Sequence, residues 1–369
     1  MTLAIPGPGG SVAPGYGRVR DAFARAAGGG ACAFAAEVDG ERVCDLWAGE
    51  GFGGDSATVL YSGTKGVVAT ALLLLVERGE LDLDAPVSAL WPEFAARGKG
   101  AVTVTDVLAH SAGLPAVERP LARTDLGRPR FLAAELAAQA PMVPPGAPTY
   151  HAVTWGWLAG ELVLRLSGLS AGAYVREHLA DPLRIDLRIG LSPDDPLAAR
   201  LVRPRPASGY RLTAFMAAEP DPRLALVYGN PAFAVEDWAD PDLRAIEAPA
   251  VNGVATARAM ATLYGRIAGG MLAPATVRRG REPAREGADP LTGRALRYGP
   301  TGYELFGTPS ALGPAADAFG HTGAGGGSHG AWPSLRTGFS FLTADLRSQD
   351  ADGRAAEVLA ALHAAVTGT

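Results

Sequence analysis

Cysteine is scarce in this chain: there are two in 369 residues, Cys32 and Cys44. Two cysteines without clustered histidines give neither a disulfide framework nor a zinc pattern. Blocks of like charge are also missing, and 33 basic residues stand against 38 acidic ones. No basic patch of the kind a phosphate backbone needs is present, which argues against a nucleic-acid partner. Arg203, Arg205 and the pair Arg278–Arg279 read as solvated surface. The longest apolar run, Val67 to Val76, is cut off by Glu77 and Arg78 and is too short to span a bilayer. The first twenty residues lack a basic region followed by an apolar one, so the expectation is a soluble, cytoplasmic protein.

What is present is apolar. Hydrophobic residues make up 48% and charged residues 19%, enough for a large core in one domain or two that share an interface. The segment 31–48 predicts a hairpin with Asp39-Gly40 as its two-residue turn. That turn would pair Val38 with Glu41, Ala35 with Cys44, and Cys32 with Trp47. The two cysteines would then face opposite sides of the sheet, out of reach of each other.

A short strand at 58–61 leads to Ser62. The stretch that follows, to Gly79, is rich in Ala and Leu and apolar nearly all round, so it predicts a buried helix. Short helices and loops are expected over 85–140, with Thr105 capping one of them. An amphipathic helix is expected at 131–140, and helices again at 154–167 and 170–180. Pro144-Pro145-Gly146 breaks the chain before Tyr150. Residues 185–250 lose the pattern. Their aromatics, Phe215, Tyr228, Phe233 and Trp238, fit a substrate-facing lid as well as an irregular surface loop. A helix at 255–270, strands over 296–345 and a last helix at 353–366 complete the chain. Strands first and last, with helices between, predict an α+β fold: an antiparallel sheet whose edges come from both termini, flanked by helices, with a helical region inserted. The division expected is 1–84 with 250–369 as the sheet part, and 85–249 as the insert.

The chemistry concentrates at Ser62-Gly63-Thr64-Lys65. A serine hydroxyl is a poor nucleophile until a neighbour takes its proton. Three residues' spacing puts Lys65 on the same helical face as Ser62. A lysine entering an apolar interior has its charge disfavoured and can act as a base near neutral pH. Tyr150, on a rigid loop, is either a proton carrier or a packed tyrosine with a satisfied hydroxyl. His321-Thr322-Gly323-Ala324 runs a strand into glycines. Such a strand offers a backbone N–H to an oxyanion, or needs its glycines only for a tight turn. His321 has equal claims as a site residue and as a structural one. His110, His151 and His329 lean to structural roles, Asp106 to a helix start, and Asp317 to a loop.

Ser62-x-x-Lys65, then Tyr150, then His321-Thr322-Gly323, with 108–115 and 251–270 as further marks, resemble the class C β-lactamase-like serine hydrolases. That family includes family VIII carboxylesterases, peptidases, acyltransferases and penicillin-binding proteins. The resemblance spans about 15–365. It implies a β-lactamase/transpeptidase-like fold with the site between its two parts. It also implies an acyl-enzyme on Ser62, Lys65 and Tyr150 sharing the proton, and an oxyanion held by the N–H groups of Ser62 and Ala324. His321, Thr322 and Gly323 would line the substrate, and neither cofactor nor metal is implied. Two positions depart from the β-lactam-cleaving pattern. Ala152 stands where Asn is usual, and His321 where Lys is usual. Both lean toward esterase and acyltransferase branches and away from efficient β-lactam hydrolysis. The expected substrate is a small ester or amide, with acyl transfer, weak β-lactamase or D-amino-acid peptidase activity, and a catalytically idle binding protein as the alternatives.

Overall fold

The computed structural model describes residues 7–212, 221–307, 311–348 and 351–369. Among them, nine strands form one antiparallel sheet. Their order is Gly9–Val12, Glu41–Ala48, Cys32–Val38, Thr337–Thr343, Gly327–Trp332, Phe319–Gly323, Glu304–Leu305, Ala295–Tyr298 and Arg285–Ala288. The chain's two ends therefore meet inside the sheet, where Cys32–Val38 pairs with Thr337–Thr343. Only one edge is terminal. The other is Arg285–Ala288, a strand that the apolar pattern does not announce because its burial alternates weakly.

The middle strands are covered on both faces, and their side chains divide accordingly. Phe34, Ala36, Phe339 and Phe341 join one core with Val19, Phe23, Val358 and Leu359, from the helices Gly17–Ala27 and Arg354–Thr367. Ala33, Ala35 and Leu342 join the other core, with the helices Gly63–Glu77 and Ala257–Ala268. The helix after Ser62 is buried almost throughout, as its composition predicts.

The hairpin register differs from the expected one. Val38 does face Glu41, but a bulge at Val43 shifts the rest, so Ala36 faces Cys44 and Cys32 faces Ala48. One inserted residue flips the faces. Both cysteines now lie in the same core, on neighbouring strands and offset by four residues, about 13 Å along the strand direction. They are free, and each thiol is pushed up to about 12, first by burial.

One cap in the helical layer over 87–183 also differs. Thr103, not Thr105, caps Val104–Leu108, in a reciprocal box with Asp106. The amphipathic helix spans Pro129–Ala138, and Thr154–Ser167 packs on it. Arg203 lies on the surface but is paired, with Asp240 at 2.5 Å. That pair, with Arg123 on Asp237 and Asp240, ties 200–240 to the helical layer.

Candidate active site

Ser62 ends a turn that three elements hold. Tyr61, just before it, takes φ 49, a conformation that a bulky residue adopts only under constraint. The Leu60 N–H donates to Gly253 O at 2.7 Å, and Thr64 Oγ1 accepts the Gly253 N–H at 2.9 Å. From the sheet side, the strand Phe319–Gly323 presses on the turn. A Cβ on Gly323 would stand 2.4 Å from the Leu60 carbonyl oxygen, so only glycine permits that approach. This contact sets Ala324 beside Ser62. Neither the Ser62 nor the Ala324 N–H has a backbone acceptor among the described residues.

Lys65 lies one turn along the helix and is fully buried. Its Nζ stands 3.2 Å from Ser62 Oγ, 2.8 Å from Ala152 O and 3.0 Å from Ala250 O. Burial holds its pKa well below the usual lysine value. The Ala250 carbonyl is itself positioned. Buried Asn252 accepts from the Ala248 N–H and donates to Leu243 O and Ile246 O, which fixes the loop 243–253. Asn252 lies in a motif noted in the sequence, yet nothing in the pattern marked it as a loop organiser.

Tyr150 Oη donates to Ser62 Oγ at 2.8 Å. Its backbone is anchored on both sides. The Tyr150 N–H donates to Asp289 Oδ2 at 3.0 Å, and the His151 N–H to His110 Nδ1 at 3.0 Å. Burial pushes the phenol up, against the Ser62 hydrogen bond, so it keeps its proton at neutral pH. His110 and His151 thus brace the loop behind Tyr150. His329 packs its ring edge on Gly63 and bonds Ser340 Oγ at 2.8 Å. These three stand off the cavity, whereas His321 lines it.

His321 Nδ1 donates to Thr322 O at 2.7 Å, and its Nε2 has no partner among the described residues. Burial lowers it to about 4, against the pull of Glu304, so the ring is neutral at pH 7. Thr322 gives Glu304 Oε2 both its N–H, at 2.9 Å, and its hydroxyl, at 2.8 Å. Burial alone would raise Glu304. Arg294 and these two bonds act against burial and keep the carboxylate ionised. Glu304, Arg294 and Asp289 were not singled out in the sequence. Isolated charges in a loop-rich stretch carry no periodic signal.

One cavity is lined by Ser62, Tyr150, His321 and Ala324 together with Trp157, Tyr228, Phe233 and Trp238. The segment 227–238 therefore faces the cavity. Phe215, the other aromatic expected there, lies outside the described residues.

The chain belongs to the Beta-lactamase family, whose model matches residues 19–363, and is a serine hydrolase. Esterase/beta-lactamase LipL of Mycobacterium tuberculosis is 35% identical over 360 residues, 90% of this chain and 81% of LipL. A family VIII carboxylesterase structure superposes with TM-score 0.88 at 30% identity, over 97% of this chain and 99% of that one. A penicillin-binding protein homologue from Caulobacter crescentus gives 0.87 at 32%, over the same shares. No helix among the described residues is long and apolar enough to cross a membrane.

The histidines predict an acid limit. His110, His151, His321 and His329 are all fully buried, and burial lowers each below 6.5: His151 and His321 to about 4, His329 to about 3. Below pH 6.5 the unfolded chain takes up protons that the native state refuses. The stability present above pH 6.5 is therefore lost as pH falls toward 4, by up to about 1.4 kcal/mol per pH unit for each histidine. Thermal melts from pH 7 to 4 should show Tm dropping steeply below 6.5. A flat Tm across that range would contradict this.

Proposed function

We propose that this enzyme hydrolyses small esters through an acyl-enzyme on Ser62, with Lys65 as base and Tyr150 as proton carrier. One observation carries the reading. Ser62 Oγ is met at 2.8 Å by the Tyr150 hydroxyl and at 3.2 Å by Lys65 Nζ, on the wall of the cavity. A neutral amine has two N–H groups and one lone pair. Ala152 O and Ala250 O take the two N–H groups, which leaves the lone pair for the Ser62 proton.

In this reading Ser62 Oγ attacks the ester carbonyl and passes its proton to Lys65. The N–H groups of Ser62 and Ala324 hold the tetrahedral oxyanion. Collapse expels the alcohol, which takes a proton from Tyr150, and Lys65 restores the phenol. Water then enters by the reverse path and frees the acid. His321, Thr322 and Gly323 form the wall beside the acyl carbon. Relatives named as esterases support the ester as substrate.

We also propose that the chain divides into 1–84 with 250–369 and an inserted 85–249. On that division Lys65 sits at the boundary, since Ala152 comes from the insert and Ala250 from the sheet part. The test is rapid mixing with p-nitrophenyl butyrate, followed by acid quench and peptide mass analysis. A burst of p-nitrophenol with one butyryl group on the Ser62 peptide is expected. Label on another peptide would overturn the assignment. Acylated product from an added alcohol, outpacing hydrolysis, would turn the reading to acyl transfer.

A further inference from the structure

The turn that carries Ala324 rests on a buried arginine that the reaction scheme does not use. Arg354 opens the last helix and is 4% exposed. Its Nη2 donates to Gly325 O at 3.0 Å and to Asp345 O at 2.9 Å. Asp352, whose side chain is as deeply buried, grips the other side of the fork. Nη2 lies 2.7 Å from Asp352 Oδ2, and Nε lies 2.9 Å from Oδ1. Nη1 reaches Thr343 Oγ1 at 3.3 Å and Asp345 Oδ2 at 3.4 Å. The Gly325 carbonyl also accepts the Arg347 N–H at 3.2 Å.

The turn is seated on this cluster without slack. Gly326 takes φ 106, and a Cβ there would stand 1.9 Å from Asp352 Oδ2. The anchored Gly325 carbonyl is one residue beyond the Ala324 N–H. A buried ion pair is a poor device for stability alone, since apolar residues of equal volume often do as well or better. What it supplies is directional hold on one carbonyl.

We propose that Arg354, locked by Asp352, is a positioning residue for the oxyanion site: it holds the 324–326 turn so that the Ala324 N–H stays aimed at the developing oxyanion. This rests on the reading of Ser62 and Ala324 given above. A donor displaced by a fraction of an ångström weakens the transition state and leaves substrate binding nearly untouched.

The test compares wild type with Arg354→Lys and Arg354→Met. A fluorophosphonate that labels Ser62 counts working sites, so partial unfolding does not enter the rates. For each protein, kcat and KM are measured on p-nitrophenyl butyrate, together with the affinity of butylboronic acid, which becomes tetrahedral on a serine oxygen. Losing a whole oxyanion donor costs about 10²–10³ in kcat, so a misaimed one should cost roughly tenfold. The expected result is kcat per labelled site and boronate affinity falling together by that factor, with KM unchanged and Lys less impaired than Met. If the Met variant does not fold, the Lys variant carries the test. Wild-type kcat and boronate affinity in a variant with lowered Tm would overturn the proposal and leave Arg354 a structural fastener. Absence of Ser62 labelling in wild type would overturn the underlying reading, and this proposal with it.

Discussion

Ser62→Ala is expected to lose p-nitrophenyl butyrate hydrolysis by at least about four orders of magnitude, because on the proposed mechanism the nucleophile and the acyl-enzyme vanish together. The fold should survive. Ser62 is only partly buried, and its Oγ serves no backbone group: its two partners are Tyr150 Oη and Lys65 Nζ. The turn around it is held instead by Leu60, Thr64 and Gly253 through bonds that alanine leaves in place. Wild-type and variant circular dichroism and Tm should therefore coincide while the rates separate. Equal slow rates in both proteins would remove Ser62 from the mechanism.

Lys65→Arg and Lys65→Met are expected to fail for different reasons, and the pair tests the base. Arginine keeps the charge but cannot release a proton in the working pH range, so it cannot accept one from Ser62. Its larger, permanently charged head would also enter a site that is fully buried. Methionine is of similar length and carries no base. Both should lose roughly three or more orders of magnitude in acylation rate, in line with general-base roles that act as a unit with the nucleophile. Stability should part them. Met relieves the desolvation of the amine but strips the donors from Ala152 O and Ala250 O, two opposed terms of similar size, so Tm should move little. Arg should lower it.

The wild-type pH profile follows from the same group. Burial lowers the Lys65 pKa, so the amine is freed below the usual lysine range. Activity should rise with pH as that proton leaves. Retained activity in Lys65→Arg would dismiss the amine as base.

The lysine was more conspicuous than its four-residue motif suggested. Of the 33 basic residues only two are lysines, Lys65 and Lys99. Both are buried and both hold backbone carbonyls. Lys99 Nζ reaches Ala96 O and Gln139 O. In a chain whose other basic residues are all arginines, both lysines stand inside the protein on backbone carbonyls.

The sequence by itself determined the buried helix behind Ser62, the strand that runs into Gly323, and the order Ser62, Lys65, Tyr150, His321 along the chain. Each rests on local information: an unbroken apolar stretch, a helical turn of spacing, a glycine run after β-formers. Tertiary structure alone decided where the sheet's edges lie, because strand order depends on which segments far apart in the chain find one another. It also decided the faces of Cys32 and Cys44. A single bulge at Val43 reverses them, and no periodicity encodes one inserted residue.

The supporting residues belong to the same class. Asn252 holds the loop of Ala250, Asp289 the backbone of Tyr150, and Arg354 the turn beyond Ala324. Their backbone partners lie from 4 to 139 residues away. A polar residue in a loop has the same appearance in sequence whether it faces water or a carbonyl. Only the packed chain, which removes the water, makes that bond obligatory.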